Sequence, residues 1–342
     1  MATLKEIAQE VGCSATTVSL AIRGSSPKVS ESVRKQILKT AEKLSYVPHL
    51  AAKQLVRGKS GLIGIYMPAM GHNEVWVSLA EELLQRLNDN QYKPILGVGP
   101  NIDNIAATNS WLQTFVQLNI EALIVMAQTI EEVKIPHRLN SKFPLWIGIW
   151  PPEKPVQSNY IALDRIHAAR MAVEHLLSRG RKNILVATIG TKRHSEIAKF
   201  VNSHGAEVEF YDYSIYIKQS NKKSKSEITE EHIHVATKLT EYITSKSTKP
   251  DACFLGDSPT AVIFINYLIS KGIKVPDDIA VVGYDYTPMA KMAMVPLTTV
   301  EQPIDIIIDE AVDSIFTILQ DDQKQVARQK IIQHRLVERQ ST

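Results

Sequence analysis

Apolar residues recur at helical spacing through the first sixty positions and in strand-length blocks thereafter. The chain therefore divides near residue 60 into an all-helical head and an alternating body. In the head, Leu4, Ile7, Ala8 and Val11 line one face of a short helix. Thr3 stands at its start with Glu6 three residues on, the spacing of a capping box. Gly12 stands at its end, where a left-handed residue costs least. Ser14 starts a second helix, 15 to about 22, that turns Val18 and Ala21 inward. Only Gly12-Cys13-Ser14 joins the two, the short glycine-containing link of a helix-turn-helix. Ala8 is small because the second helix crosses over it. Ser30 starts a third helix, with Val33, Ile37, Ala41 and Leu44 at helical spacing. Pro48 follows. Residues 49–57 have the length of two helical turns, marginal in water without a partner, and Gly58-Lys59-Ser60 reads as a linker.

From Gly61 the pattern changes. Strand-like apolar runs at 62–67, 122–126, 145–149, 160–163, 183–189, 252–255 and 279–282 alternate with helical patterns such as 75–87, 167–177 and 259–269. Such alternation predicts parallel sheets covered by helices on both faces. The runs are too many for one sheet, so two similar lobes with a cleft between them are expected. The basic, polar stretch 218–225 reads as a solvated loop rather than a second nucleic-acid patch.

At 342 residues the chain is too long for one small domain. Its 44% hydrophobic and 22% charged residues exclude a disordered or collagen-like chain. A net charge of +3 says little, but its distribution says more. Residues 1–60 hold ten Lys/Arg against four Glu, a net +6, and the other 282 hold 29 basic against 32 acidic, a net −3. A basic head on a mildly acidic body is expected to meet a polyanion. Cys13 and Cys253 fall in different halves, which excludes a disulfide framework and suits a reducing cytosol. The N-terminus has no signal-peptide pattern, and the longest apolar runs, such as 62–65 and 122–127, are far short of a membrane span. A cytoplasmic protein without membrane contact is expected.

The run Leu4-Lys5-Glu6-Ile7-Ala8-Gln9-Glu10-Val11-Gly12-Cys13-Ser14-Ala15-Thr16-Thr17-Val18-Ser19 closely resembles the N-terminus of the lactose-repressor/galactose-repressor (LacI/GalR) family of bacterial transcription regulators. The resemblance continues through Val29-Ser30, Arg34 and Leu44-Ser45-Tyr46-Val47-Pro48 to the hinge-like Ala51-Ala52-Lys53-Gln54-Leu55. Asp164, Ala172-Val173-Glu174-His175-Leu176 and Gly180-Arg181-Lys182 resemble the family's mid-body signature. Val281-Val282-Gly283-Tyr284-Asp285 and Pro296-Leu297-Thr298-Thr299-Val300 with Gln302-Pro303 resemble its late signature, while residues 190–250 match weakly.

The resemblance implies an α/β protein. An all-α helix-turn-helix headpiece with a hinge helix (1–58) precedes a two-lobed, periplasmic-binding-protein-like body with parallel sheets (59–342). The implied lobes are about 60–161 plus 291–320 and about 162–290 plus 321–342. The chain would cross between them three times, with residues 331–339 as the final strand. No apolar heptads follow, so a homodimer is expected rather than a tetramer.

A second helix of this kind enters the major groove with its first residues against base edges. Ala15, Thr16 and Leu20 are the exposed positions. Thr17 and Ser19 offer hydroxyls to phosphates, with local capping or solvent exposure the alternative for each. Arg23 and Lys28 stand where the resemblance places phosphate contacts, and His49 joins the same DNA-facing set. Leu20 stands where the family often has Arg, the usual reader of guanine; it can only pack against thymine methyls or exclude other bases. Leu55 matches the family's minor-groove wedge, against the alternative of a leucine packed on the body.

In the body, the resemblance places Arg193 and Asp285 at effector-contacting positions, and Asp257 as the acidic half of the family's Asn-Asp pair. A carboxylate accepts from two adjacent hydroxyls, a guanidinium donates to sugar oxygens, and an aromatic ring covers the apolar sugar face. Trp76 and Trp150 are candidate platforms, with core packing the alternative for each. Gly256 stands where Asn is common and Gly148 where Asp is common, so two polar sugar contacts are missing.

The expected protein is a DNA-binding transcriptional regulator, a repressor acting as a dimer on a pseudo-palindromic operator. A small-molecule effector in the cleft, a sugar or derivative, would switch it; the alternative is a corepressor-activated regulator sensing a purine, a sugar phosphate or a partner protein. An enzyme is the first rival. There is no G-x-G-x-x-G, of which Gly97-Val98-Gly99-Pro100 is a weak echo, and no G-x-S-x-G. His232-Ile233-His234 has no second pair at zinc spacing and reads as a solvated segment. No catalytic residue, cofactor or metal is therefore expected. A solute-binding protein is the second rival; the body suits it and the basic head argues against it.

Overall fold

The computed structural model describes residues 2–22, 29–46, 59–68, 74–99, 105–127, 135, 137–140, 144–148, 150–152, 154–188, 194–217, 225–320 and 327–342. Contacts divide the chain into two units, Met1–Ser60 and Gly61–Thr342.

The first unit holds α1 (Leu4–Val11), α2 (Ala15–Ile22) and α3 (Glu31–Lys43). The capping box is formed. The Glu6 amide donates to Thr3 Oγ1 at 3.3 Å and the Thr3 amide to Glu6 Oε2 at 2.7 Å, so two amides at the helix start are satisfied. Gly12 ends α1 at φ 74°, a left-handed conformation that releases the chain into the turn. Ser14 Oγ accepts the Thr17 amide at 3.1 Å and so caps α2. Ile7, Ala8, Val18, Ala21, Ile37 and Ala41 are buried together, two residues from each helix. Each helix is too short to persist alone, so this core is what holds them.

The second unit runs β1 (Leu62–Pro68), α4 (Glu74–Asp89), β2 (Lys93–Gly99), α5 (Ile105–Gln117), β3 (Ala122–Ala127), α6 (His137–Asn140), β4 (Leu145–Gly148) and β5 (Asn159–Leu163). It continues with α7 (Arg165–Ser178), β6 (Asn183–Thr188), α8 (His194–Ser203), β7 (Glu207–Asp212), a 3-10 turn (Ser214–Tyr216), α9 (Lys225–Ser245), β8 (Ala252–Leu255), α10 (Ser258–Ser270), β9 (Ala280–Tyr284), α11 (Pro288–Met292) and β10 (Thr298–Glu301). It closes with α12 (Ile304–Gln320), β11 (Gln329–Ile332) and β12 (Arg335–Val337).

Two six-stranded sheets result. The first has the order β11-β5-β4-β3-β1-β2 and the second β12-β10-β9-β8-β6-β7. All pairs are parallel except β10 with β12. Helices on both faces explain the near-continuous apolar strands: all six residues of β3, Ala-Leu-Ile-Val-Met-Ala, are buried. Each sheet therefore has two cores. In the first lobe, Ile65, Leu83, Ile124, Ile307 and Ile315 fill one and Tyr66, Phe115, Leu123 and Trp146 the other. In the second, Leu185, Leu239, Phe264 and Val281 fill one and Val173, Val186, Phe254 and Tyr284 the other.

The chain crosses between the sheets after β5, after β10 and after β11. Helix α12 packs on α4, β3, β4 and β5 and so returns to the first lobe. The limits expected for the lobes need correction. Strand β10, assigned to the first lobe by 291–320, lies in the second sheet beside β9; β11, assigned to the second lobe by 321–342, lies in the first sheet beside β5. The expected final strand over 331–339 is two short strands in different sheets. The reason lies in the polar residues of β10. Thr298, Thr299 and Glu301 are buried, and the chain end satisfies them. Ser341 Oγ accepts the Thr298 amide at 2.8 Å, while Arg339 donates to Thr299 Oγ1 at 2.7 Å and Glu301 Oε1 at 2.8 Å. That polar inventory closes only in the second lobe.

Candidate nucleic-acid interface and ligand site

In the headpiece, the first turn of α2 carries Ala15, Thr16 and Thr17. Thr16 is exposed, whereas Ala15, Thr17, Ser19 and Leu20 are half-buried. Ala15 leans on the core, and the Thr17 hydroxyl lies 2.8 Å from Ser14 Oγ. Thr17 is thus engaged in the local cap, the alternative weighed for it, and Thr16 is the first-turn side chain left to meet a base edge. On α3, Lys35, Lys39 and Lys43 are exposed; Lys43 pairs with Glu10 at 2.7 Å, which leaves Lys35 and Lys39 as its exposed cations without a carboxylate contact at this distance among the described residues. Arg23, Lys28, His49 and Leu55 lie outside the described residues.

The second cluster stands at the C-terminal ends of the second sheet, the edge where open α/β sheets hold ligands. Asp257 caps α10. Its Oδ1 accepts the Thr260 amide at 2.8 Å, its Oδ2 accepts the Tyr213 hydroxyl at 2.9 Å, and His232 Nδ1 lies 3.3 Å from Oδ1. His232 Nδ1 is also 2.8 Å from Thr260 Oγ1. Burial pushes the Asp257 carboxyl upward, but the hydrogen bond and charge of His232 with the donors of Thr260 outweigh it and hold it below the usual carboxylate range. The expectation of a solvated His232-Ile233-His234 segment is therefore corrected. It lies on α9, and its first histidine turns inward to the Asp257 carboxylate; no pattern within the segment itself signals a partner 25 residues away.

Gly256 has a steric reason. A Cβ there would meet the Tyr213 hydroxyl at 3.0 Å and Thr188 Cγ2 at 3.4 Å. Tyr213 thus occupies the space in which a side chain at 256 would stand, and it takes over the hydrogen bond to Asp257. Thr188 ends β6 at 1% exposure, and its hydroxyl has no hydrogen-bond partner among the described residues. Tyr213 and Thr188 were not candidates from sequence, because neither belongs to a recognisable motif.

Asp285 follows β9 with φ 68°, a left-handed conformation uncommon for a side chain other than glycine. Gln302 Nε2 donates to its Oδ1 at 2.8 Å. Burial raises its carboxyl from 3.8 to about 6, against the attraction of Arg165. The Arg165 guanidinium lies over Tyr284 at 4.5 Å and over Trp150 at 5.7 Å.

In the first lobe, Trp150 is half-buried just beyond β4 and lines a small cavity of about 10 Å³ with Gly148, Trp146 and Tyr160. Trp76 is not a platform. It is 2% exposed and packs in the core between α4 and the first sheet, where no ring face is open to a ligand. Arg193 lies outside the described residues. The structure thus brings Asp257 and Asp285 to one sheet edge and links Trp150 to Asp285 through Arg165.

Residues 3–49 match the family described as bacterial regulatory proteins, lacI family, and residues 173–342 match the periplasmic binding protein-like domain. The chain belongs to the lacI family of bacterial regulatory proteins. The first match spans the three headpiece helices, and the second begins within α7 and takes in every strand of the second sheet. Among relatives of this lacI-family chain, catabolite control protein A of Priestia megaterium is 26% identical over 303 residues, 88% of each chain. The HTH-type transcriptional repressor PurR of Photobacterium profundum is 25% identical over 306 residues, 89% of this chain and 87% of that one. A lac repressor dimer bound to operator and the anti-inducer ONPF shares the fold with a TM-score of 0.78 at 19% identity, over 99% of this chain and 98% of that one. The transcriptional regulator CelR in complex with cellobiose does so at 0.63 and 18% identity, over 100% of both chains. As a lacI-family regulator, the chain is a DNA-binding transcriptional regulator with a ligand-binding body. Among its described residues, no helix is long and apolar enough to cross a membrane.

Proposed function

We propose that this regulator is a cytoplasmic repressor that binds a pseudo-palindromic operator as a dimer and is switched by a small-molecule effector at the strand ends of its body. The observation that carries the reading is the headpiece. The capped α2 leaves Thr16 exposed at its N-terminal turn, on a segment of net +6 whose α3 shows Lys35 and Lys39 to solvent. That is the layout of base readout beside phosphate contact. Thr16 and Leu20 read the half-site beside Ala15, which packs on the headpiece core. Ser19 offers its hydroxyl to a phosphate, Thr17 holds the helix start, Arg23 and Lys28 contact phosphates, and His49 belongs to the same DNA-facing set. Leu55 wedges the minor groove. The lac repressor dimer bound to operator supports the dimeric arrangement.

Asp285, Asp257, Arg193 and Trp150 hold the effector. Asp257 is already engaged by Tyr213, Thr260 and His232, so capture of hydroxyls falls chiefly on Asp285. With Gly256 and Gly148 in place of polar side chains, the effector is a sugar derivative rather than a plain hexose. The protein acts without catalysis, and its functional division is a headpiece of 1–58 on a body of 59–342.

The test is a gel shift on DNA flanking the gene, with the full chain and with residues 59–342 alone, followed by selection on a randomised operator. The full chain is expected to select one palindromic sequence and the body none. Leu20→Arg is expected to move one base pair of each half-site toward guanine, with a discrimination of about 1–3 kcal/mol. Equal affinity for scrambled and selected DNA defeats the reading.

A further inference from the structure

One dipeptide at the end of β9, Tyr284-Asp285, touches all three crossings between the lobes. The first crossing leads into α7, whose first residue, Arg165, stacks its guanidinium over the Tyr284 ring at 4.5 Å and over Trp150 of the first lobe at 5.7 Å. The second leaves β10 through Gln302, which donates to Asp285 Oδ1 at 2.8 Å. The third joins β11 to β12 through His334, whose Nε2 lies 2.6 Å from the Tyr284 hydroxyl. Tyr284, Gln302 and His334 are 1%, 5% and 4% exposed, and the Arg165 Nε is buried with no hydrogen-bond partner among the described residues. Water cannot readily replace a lost contact in such a place, so breaking one costs the full desolvation of a polar group.

The dipeptide is also held under strain. Asp285 keeps φ 68°, a left-handed conformation that is disfavoured for residues other than glycine. Its amide donates to the Val300 carbonyl at 2.9 Å, and Ser258 Oγ donates to the carbonyls of Tyr284 at 2.9 Å and Asp285 at 2.5 Å. The backbone is therefore fixed to β10 and to the start of α10, while the side chains reach the crossings. Movement of the Asp285 carboxylate must either carry Gln302 with it or break a part-buried bond.

We propose that Arg165, Gln302 and His334 are positioning residues that tie Tyr284-Asp285 to the three crossings, so that engagement of Asp285 by a ligand resets the angle between the lobes. The proposal rests on the reading of Asp285 as an effector contact and adds the route by which occupancy leaves the site. One carboxylate oxygen holds the second crossing and the other remains for a ligand hydroxyl. A ligand that draws the carboxylate away weakens the Gln302 bond, and two packings of the crossing then compete as discrete states. Because a ligand shifts such an equilibrium only through its different affinity for the two states, Gln302 belongs to the ligand response although the ligand need not touch it.

The test needs neither ligand nor DNA, so it fails or succeeds independently of the proposed function. In the full chain with Cys13→Ser, spin labels are placed at Glu81→Cys on α4 and Glu230→Cys on α9, both exposed, while the buried Cys253 stays unlabelled. Labelled protein is diluted in unlabelled protein so that distances within one protomer are read by pulsed electron–electron resonance. Asp285→Ala, which removes the carboxylate from Gln302 as a diverting ligand would, is expected to shift the interlobe distance by about 2 Å or more. Gln302→Ala is expected to shift it alike, and the double variant no further. Gln302→Leu, which keeps the volume, serves if the alanine variant does not melt cooperatively. His334→Ala and Arg165→Met are expected to broaden the distribution. An unchanged distance with only a lowered melting temperature means a purely structural role and overturns the proposal. So does a double variant whose shift is the sum of the single ones.

Discussion

The headpiece and the ligand end of the second lobe are built by opposite means. In the headpiece the polar contacts that start the first two helices are local: Thr3 with Glu6, and Ser14 with Thr17, each three residues apart, while the exposed Lys43–Glu10 pair joins α3 to α1. At the second lobe, Asp257 meets Tyr213 across 44 residues, and His232 meets Thr260 across 28. The headpiece core buries six side chains, whereas the body rests on four clusters. A local device with a small core is stable only marginally and can be ordered or released at low cost. A device assembled from distant strand ends needs a rigid scaffold, and it transmits what happens to it.

If the body's scaffold is a network of distant polar contacts, its removal should be the costliest change. Arg339→Met leaves Glu301 buried without its partner at 2.8 Å and is expected to cost about 3–5 kcal/mol in chemical denaturation of the body. A loss below about 1 kcal/mol would mean that β10 does not depend on the chain end.

In the headpiece, Ile37→Ala removes a fully buried side chain from a core of six. A loss of about 2–5 kcal/mol is expected, enough to unfold so small a unit and abolish DNA binding. Calorimetry should show the body's transition in place, and loss of both transitions together would contradict the division.

Asp285 offers a pH-resolved comparison. Its carboxyl is raised from 3.8 to about 6 in the fold, so the charged form is the disfavoured one. This group favours the folded state most below about pH 4, and that contribution is lost as pH rises through about 6. Asp285→Asn, which keeps an oxygen for Gln302, is therefore expected to stabilise the body by up to about 3 kcal/mol at pH 8 and by little at pH 4. Thermal melts at the two values check the sign. A variant less stable at pH 8 would show that the charge is satisfied where it sits.

The smallest effect belongs to the local device. Thr3→Ala removes the side-chain half of the capping box, leaving the residue-3 amide to donate to Glu6, and should cost the headpiece about 1 kcal/mol, read as a shift of its own transition.

Much of this molecule could be read from the order of its residues. The three headpiece helices, their caps and their inward faces follow from contacts between residues three or four apart, and the central strands from apolar runs that any two-sided parallel sheet requires. Asp257 and Asp285 were legible through their motifs. The edge strands β2 and β7 were not, because strands covered less completely need no continuous apolar run. Nor could sequence distinguish Trp76 from Trp150, since an aromatic at helical spacing suits either a core or a ligand platform, and only burial separates them. His232, Tyr213 and Thr188 acquire their place from loops and strand ends that meet far apart in the chain. The division of the last strands between two sheets was likewise settled in three dimensions, where the buried polar groups of β10 found their partners in Arg339 and Ser341. Local geometry is written in neighbouring residues, whereas hydrogen bonding between distant buried groups is satisfied only once the whole body has folded.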